Sequence, residues 1–290
     1  MATTTLFSRS KVLYLGLYPN GQQIQIAFLA ADNQPHFYQL PSSELARLPI
    51  LLRQQFAEKI SKKQKFIYTT CLPAHLLWQK HILLPHIRHH HERYRQVRLI
   101  IQQHLPIAEH LVQFDFNVTP LQHIGSPRQI DYIQIYAAKK QNISQYCQQF
   151  APLKLNTLDF YAHALLRAFL YCDAYCSNCN HAENSAVLSE TLCLYQDQQQ
   201  SVLLLQCHDN LIQSYGKNQP LTALLTQFHQ QNPDINITRY LIYAPIAEAD
   251  ALKQIIANED NCVVIDPLQY PYFIALGCAL WRSGSQTLSK

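Results

Sequence analysis

The sequence predicts an α/β chain of two similar lobes joined by a polar linker, and three observations predict it. A strand meander followed by a helix and a further strand opens the chain. The same order recurs after residue 190. Between the two, residues 172–190 lose apolar periodicity and are dominated by Ser, Asn, Asp, His and Glu. A chain of 290 residues that is 48% hydrophobic has enough apolar material for two lobes of ordinary size.

Taken in order, Leu13, Leu15 and Leu17 and then Ile24, Ile26 and Phe28 recur at every second position around Tyr18-Pro19-Asn20-Gly21. This predicts a β-hairpin with an Asn-Gly turn. A third strand over 37–40 completes the meander, and Leu45, Leu48, Leu52, Phe56 and Ile60 then recur at helical spacing before a strand at 66–70. Residues 83–121 change character and predict an inserted subdomain. There a His/Arg-rich helix carries Tyr94, Val97, Ile101 and Leu105 on one face, and the alternation of Val112, Phe114, Phe116 and Val118 marks a half-buried strand. A strand at 130–137, a helix bearing Ile143, Tyr146, Cys147 and Phe150, and a helix over 159–171 return the chain to the first lobe. The second lobe has strands at 191–195, 201–207 and 211–215, then a helix carrying Leu221, Leu224, Leu225 and Phe228. A strand at 240–243, a helix at 248–257, a strand at 262–265 and an apolar helix at 272–281 close it. Two lobes of this pattern are what an actin-like or sugar-kinase-like architecture presents.

Composition excludes several function classes. The chain has 6 glycines, where average usage gives about 20, and no G-x-G, so a glycine-rich dinucleotide fingerprint is impossible. A formal charge of +4 is too modest for a dedicated nucleic-acid binder or a membrane-surface protein. The opening MATTTLFSRSK lacks the apolar core of a signal peptide, and the longest apolar run, 272–281, is half of the ~20 residues needed to span a bilayer. These features lead us to expect a cytosolic location. The 9 cysteines, an odd number, suit free thiols in a reducing compartment better than a disulfide framework.

Candidate chemistry is sparse. Gly16 and Gly21 have the spacing of half a Walker A loop, but Gln22 and Gln23 stand where Lys and Ser/Thr are needed, so the hairpin turn is the better reading. Cys172, Cys176, Cys179 and His181 have spacings that suit Zn²⁺ or an iron–sulfur cluster. They trail a helix into a polar linker, which favours unliganded thiols and leaves the metal as an alternative. His86, His89, His90 and His91, with Arg88, Arg93, Arg95 and Arg98, offer metal or phosphate ligands. Consecutive helical side chains diverge, so a solvated basic helix is favoured. His163, beside Ala162 and Ala164, reads as packed rather than catalytic.

Four stretches resemble the PilM/ComA family, the actin-like proteins of type IV pilus assembly and competence, and in particular its Pasteurellaceae-type ComA branch. They are Leu13-Tyr14-Leu15-Gly16 through Leu29; His81-Ile82-Leu83-Leu84-Pro85 with Leu105-Pro106 and Phe114-Asp115-Phe116; Ile135-Tyr136-Ala137-Ala138-Lys139-Lys140 with Leu158-Asp159-Phe160-Tyr161-Ala162 and Arg167-Ala168; and Ile274 to Leu280. The resemblance implies an actin-like (RNase H-like) two-lobe fold with an inserted 1C-type subdomain and a reduced 2B subdomain. Its expected boundaries are 1–80 for subdomain 1A, 81–128 for the insert, 129–172 for the rest of the first lobe, 173–190 for the linker, 191–268 for the second lobe and 269–290 for the closing helix and tail.

By the same resemblance the nucleotide-binding positions are Gly16, Tyr18, Asn20 and Gly21, and they are degenerate: the family's metal-positioning Asp falls on Tyr18 and its second Gly on Asn20. The other two nucleotide loops fall near Cys193 to Asp197 and near Tyr243 to Ala247, and neither holds a glycine. Backbone N–H groups cradle phosphate only where side chains leave room. The expectation is therefore no catalysis and no cofactor, with ATP/Mg as the alternative. The implied role is a scaffold that binds the cytosolic N-terminal peptide of an inner-membrane PilN/ComB-like protein, in a groove between subdomains 1A and 1C, beside other pilus platform components. Candidate groove residues are Pro85, Ile87, Tyr94 and Val97. No membrane insertion and no direct nucleic-acid binding are expected.

Overall fold

The computed structural model describes residues 12–121, 129–176, 191–198, 200–207, 210–217, 219–256 and 261–281. Its contacts divide the chain into two units, one of Met1–Cys71 with Phe150–Lys290 and one of Leu72–Gln149. Among the described residues no helix is long and apolar enough to cross a membrane.

The first unit opens with the hairpin β1 (Val12–Asn20) and β2 (Gln23–Leu29). Asn20 pairs with Gln23, so the two-residue connection is Gly21-Gln22, one position later than the Asn-Gly turn expected. Gly21 holds φ at 60° in the first central position, the signature of a II′ turn, whose twist matches that of the strands. β3 (Pro35–Pro41) completes the meander. The single helix expected from Leu45 to Ile60 is interrupted: Ser42–Arg47 is a 3₁₀ turn and only α1 (Leu48–Gln55) is α-helical. Pro49 in the first turn of α1 explains the restart, because a proline is accepted at a helix start and not inside one. β4 (Lys65–Leu72) then runs parallel to β1.

The second unit contains β5 (Trp78–Pro85), α2 (His90–His104), β6 (Val112–Leu121), β7 (Ile130–Lys139) and α3 (Lys140–Gln148). Its sheet has the order β5-β7-β6, with β7 antiparallel to both neighbours. We expected 130–137 to rejoin the first lobe from residue 129. Its pairing makes it the central strand of the insert, which extends to Gln149. The burial of β7 is nearly continuous, as a central strand requires. Val97 and Ile101 of α2 cover Ile133, Ile135 and Ala137.

The chain re-enters the first unit at β8 (Thr157–Phe160), where a helix was expected from 159. Asn156 secures the start of the strand, accepting from the Tyr68 N–H and donating its own N–H to the Tyr68 carbonyl, each at 2.9 Å. The first sheet is thus β3-β2-β1-β4-β8. α4 (Tyr161–Cys176) follows and continues into the expected linker. The second lobe holds β9 (Thr191–Gln196), β10 (Gln200–Cys207), β11 (Asn210–Lys217), α5 (Leu221–Gln231), β12 (Arg239–Tyr243), α6 (Ile246–Ile255) and β13 (Cys262–Val264). Its sheet order, β11-β10-β9-β12-β13, repeats the first: an antiparallel meander joined to parallel strands. α5 seals its face with Leu221, Leu224, Leu225 and Phe228 against Leu192, Leu194, Leu203 and Leu205. α7 (Phe273–Ala279), every residue of which is buried, packs against α4 and β1.

Candidate functional site

In open α/β sheets ligands bind beyond the carboxyl ends of the parallel strands, so the relevant cleft lies beyond β1, β9 and β12. Five aromatic residues gather there. Tyr18 lies near the end of β1, Tyr161 starts α4, Tyr195 lies on β9, Tyr243 ends β12 and Phe273 starts α7. Tyr195 and Tyr243 stack with centroids 5.3 Å apart, Tyr243 and Phe273 at 4.2 Å, and Tyr161 meets Tyr18 at 6.2 Å and Tyr195 at 6.4 Å. Their hydroxyls are also engaged. Tyr195 donates to Asp197 Oδ2 at 2.9 Å, Tyr243 donates to the Tyr270 carbonyl at 2.9 Å, and the Gln200 side-chain amide donates to the Tyr161 oxygen. Burial pushes the phenols of Tyr18, Tyr161, Tyr195 and Tyr243 up from the ordinary tyrosine value, and the nearby Asp197 carboxylate adds to each.

Asp197 turns β9 into β10, accepting from the Gln200 N–H at 2.9 Å while its own N–H donates to the Gln200 carbonyl at 3.1 Å. A cavity of about 310 Å³ opens beside this turn, lined by Asp197, Glu248 and the amides of Gln196, Gln198, Gln200 and Gln219. It is a site of two carboxylates with no Lys or Arg among the described lining, the reverse of what a phosphate needs.

Gly16, expected from the resemblance to lie in a phosphate loop, has a different occupation. A Cβ there would lie 1.8 Å from the Ala275 carbonyl oxygen of α7, so the missing side chain makes room for a helix and not for a phosphate. Gly277 does the same between α7 and α4, where a Cβ would lie 1.8 Å from the Ala164 carbonyl oxygen. At Gly21 the Cβ position is open, and Asn20 is exposed at the strand end. A neutral phenol at Tyr18, aromatic rings in the cleft and carboxylates at the second turn do not fit a magnesium–nucleotide complex.

The other sequence candidates separate. Cys172 is fully buried on α4 and Cys176 is the helix's last residue, while Cys179 and His181 lie outside the described residues. Among the described residues, no group of three or more His, Cys, Asp or Glu is placed to hold a metal. Burial pushes the His163 imidazole down, and its ring lies 5.5 Å from Phe160. The His/Arg cluster is divided among separate partners. Asp131, 1% exposed, meets His86 Nδ1 at 2.9 Å, accepts from the Ile87 N–H at 3.3 Å and faces Arg93 at 3.6 Å; Arg93 also donates to the Ile87 carbonyl at 2.6 Å. Arg98 pairs with Glu109, and His90 stacks on Phe116.

Of the groove candidates, Pro85 and Ile87 sit on the turn that Asp131 holds, and Tyr94 is 41% exposed with its ring 5.0 Å from Phe114. Val97 is a correction: it is fully buried beneath α2 and serves the core of the insert, because the helix turns that face to β7.

No family model matches the chain, and no curated protein does. Solved structures do. The "PilM-PilN type IV pilus biogenesis complex" aligns over 94% of this chain and 99% of that chain with a TM-score of 0.61 at 16% identity. The fold is PilM-like. A Bacteroides thetaiotaomicron protein "with actin-like ATPase fold and unknown function" follows at a TM-score of 0.44, with 9% identity over 93% of this chain and 98% of that one. The apo psk41 ParM protein follows at 0.42, with 7% identity over 96% and 99%. The repeated sheet order gives this PilM-like chain the two-lobed, actin-like α/β architecture in its own right. Sequence reasoning missed the rings that fill its cleft, apart from Tyr18. They come from separate elements and carry no local spacing. It also missed Asp131, which reads as an ordinary polar residue at a strand end.

Proposed function

We propose that this chain is a non-catalytic, actin-like scaffold of a type IV pilus or competence DNA-uptake machine. In this reading it binds the cytosolic N-terminal peptide of an inner-membrane PilN/ComB-like partner and is held at that membrane through the partner. The observation that carries the scaffold reading is the cleft: Tyr18, Tyr161, Tyr195, Tyr243 and Phe273 occupy it with mutual contacts, and the adjoining turn presents Asp197 and Glu248. The shared fold with a chain of the PilM–PilN complex supports the choice of machine and partner. The single helix α5 between β11 and β12 supports a reduced 2B subdomain. Pro85, Ile87 and Tyr94 are the candidate peptide contacts, since an extended segment needs apolar pockets and backbone partners and no catalytic side chain.

The test is fluorescence anisotropy with a labelled synthetic peptide from the N-terminus of the membrane protein encoded beside this chain. Saturable binding that weakens in Tyr94→Ala supports the proposal. No binding at high micromolar peptide overturns it. Retained ATP binding is the second reading, and the resemblance to a family with ATP-binding members is what favours it; calorimetry with ATP and Mg²⁺ decides, a micromolar signal excluding the degenerate cleft. For Zn or Fe–S ligation at Cys172, Cys176 and Cys179, elemental analysis of the purified chain is the corresponding test.

A further inference from the structure

α1 and the chain leading into β4 line an open surface groove of about 320 Å³, separate from the cleft and bordered by Ile50, Arg53, Gln54, Ala57, Ile60 and Lys62. Its apolar lining includes Ile50, which is 58% exposed, a large hydrophobic side chain left on the surface of a helix whose other face is core. Arg53 is held rigidly within it. Its Nη2 donates to the Gln64 carbonyl at 3.1 Å, and its guanidinium carbon sits 4.6 Å above the centre of the Phe66 ring. Its Nε is buried and out of a ligand's reach, so a partner would meet the guanidinium through its remaining Nη hydrogens. An arginine fixed on two sides in this way holds its fork in a set orientation, which suits a carboxylate.

The surroundings have the same sign. Lys62, Lys63 and Lys65 are exposed, Lys59 is already neutralised by Asp32 at 3.0 Å, and Glu58 is the only carboxylate between residues 48 and 65. We propose that this groove is a second protein-docking site, taking a partner segment in which an aliphatic side chain lies next to a carboxylate. The aliphatic group fills the space beside Ile50 and Ile60, and the carboxylate meets Arg53 with Lys62 at the margin. An apolar centre with a charged rim is the usual anatomy of such a contact. For a scaffold it supplies an interaction surface that uses none of the peptide-contact residues of the insert, and it stands whether or not the partner proposed above is correct.

The test is NMR titration of the full chain with acetyl-Leu-Glu-amide, following the Arg53 Nε–H and the Ile50 and Ile60 methyl signals. Acetyl-Leu-Gln-amide and acetyl-Ala-Glu-amide serve as controls. Saturable shifts at those three residues are expected, with each control roughly tenfold weaker or more. Arg53→Gln is expected to weaken binding by a similar factor. Because Arg53 also holds Gln64, Lys62→Glu provides a variant at an exposed position that leaves packing alone, with the same direction expected. Absence of shifts at Arg53, or an equal response to acetyl-Leu-Gln-amide, overturns the proposal. So does a self-associated chain that Ile50→Asp converts to monomer in sedimentation, since the groove then belongs to a second copy.

Discussion

Gly16 and Gly277 are the positions at which α7 meets its neighbours at backbone distance, and both are intolerant of a single added carbon. The Cβ would meet a carbonyl oxygen at 1.8 Å in each case, and neither oxygen belongs to a flexible side chain. Gly16→Ala and Gly277→Ala are therefore expected to lose about 3 kcal/mol or more, or to fail to accumulate as folded protein. Gly21→Ala has open space and only its positive φ to oppose, so about 1 kcal/mol is expected. Chemical denaturation of the three variants checks the order. The buried phenols supply a second prediction, in pH. Tyr18, Tyr161, Tyr195 and Tyr243 have folded-state pKa values raised by burial, so their neutral form is favoured in the native state. Their contribution is fully present below the unfolded value near 10 and is lost as pH rises above it, because the unfolded chain then ionises first. Stability is expected to fall steeply above pH ~10, with the phenolate absorbance of these four residues appearing together with unfolding.

At the scale of elements, the paired charges that join helices to strands are the sensitive points. Arg167 of α4 pairs with Asp159 of β8 and donates from Nε to the Gly277 carbonyl of α7 at 3.0 Å. Asp159 is 9% exposed, so Arg167→Met strands a buried carboxylate and is expected to cost about 3–5 kcal/mol in urea denaturation. The hairpins and the amphipathic helices were legible in the sequence because their signal is local: alternation over Leu13 to Phe28, or Leu221 to Phe228 on one face. β8 was not legible, since Leu158 and Phe160 alone do not distinguish a four-residue strand from the first turn of the helix that follows. Nor was the membership of β7, because sheet order is decided by long-range pairing with β5 and β6. The end of α4 was hidden in the same way. Tyr171 and Tyr175 both donate to the Asn33 carbonyl, at 2.7 and 3.2 Å, and that residue sits in the β2–β3 turn at φ 59°. The absence of glycine from residues 193–197 and 243–247 was visible in the sequence; the gathered rings were not, because no spacing connects positions 18, 161, 195, 243 and 273.

The aromatic cluster ties β1 and α4 of the first lobe to β9 and β12 of the second, with Phe273 of α7 stacked among them. A ligand seated between two lobes adds its binding energy to the native state in proportion to its concentration. Contacts among the chain's own rings are intrinsic and independent of any ligand. Two consequences follow from that difference. Phe273→Ala, which removes the ring stacked on Tyr243 at 4.2 Å, is expected to cost about 3–5 kcal/mol and to loosen both lobes together. ATP with Mg²⁺ is expected to leave the melting temperature of the native chain unchanged, whereas a ligand at a hundredfold excess over its Kd adds about 2.7 kcal/mol, several degrees for a chain of this size. Tyr18→Asp places a carboxylate where the resemblance to the PilM/ComA family expects one that positions a metal. It too is expected to give no thermal shift with ATP, because Tyr161 and Tyr195 still occupy the space, Asp197 and Glu248 still repel phosphate, and the Gly16 backbone still faces α7. A clear ATP-dependent shift in that variant would show that the cleft opens to admit a nucleotide, and with it that admission is decided by one side chain and not by the packing of the two lobes.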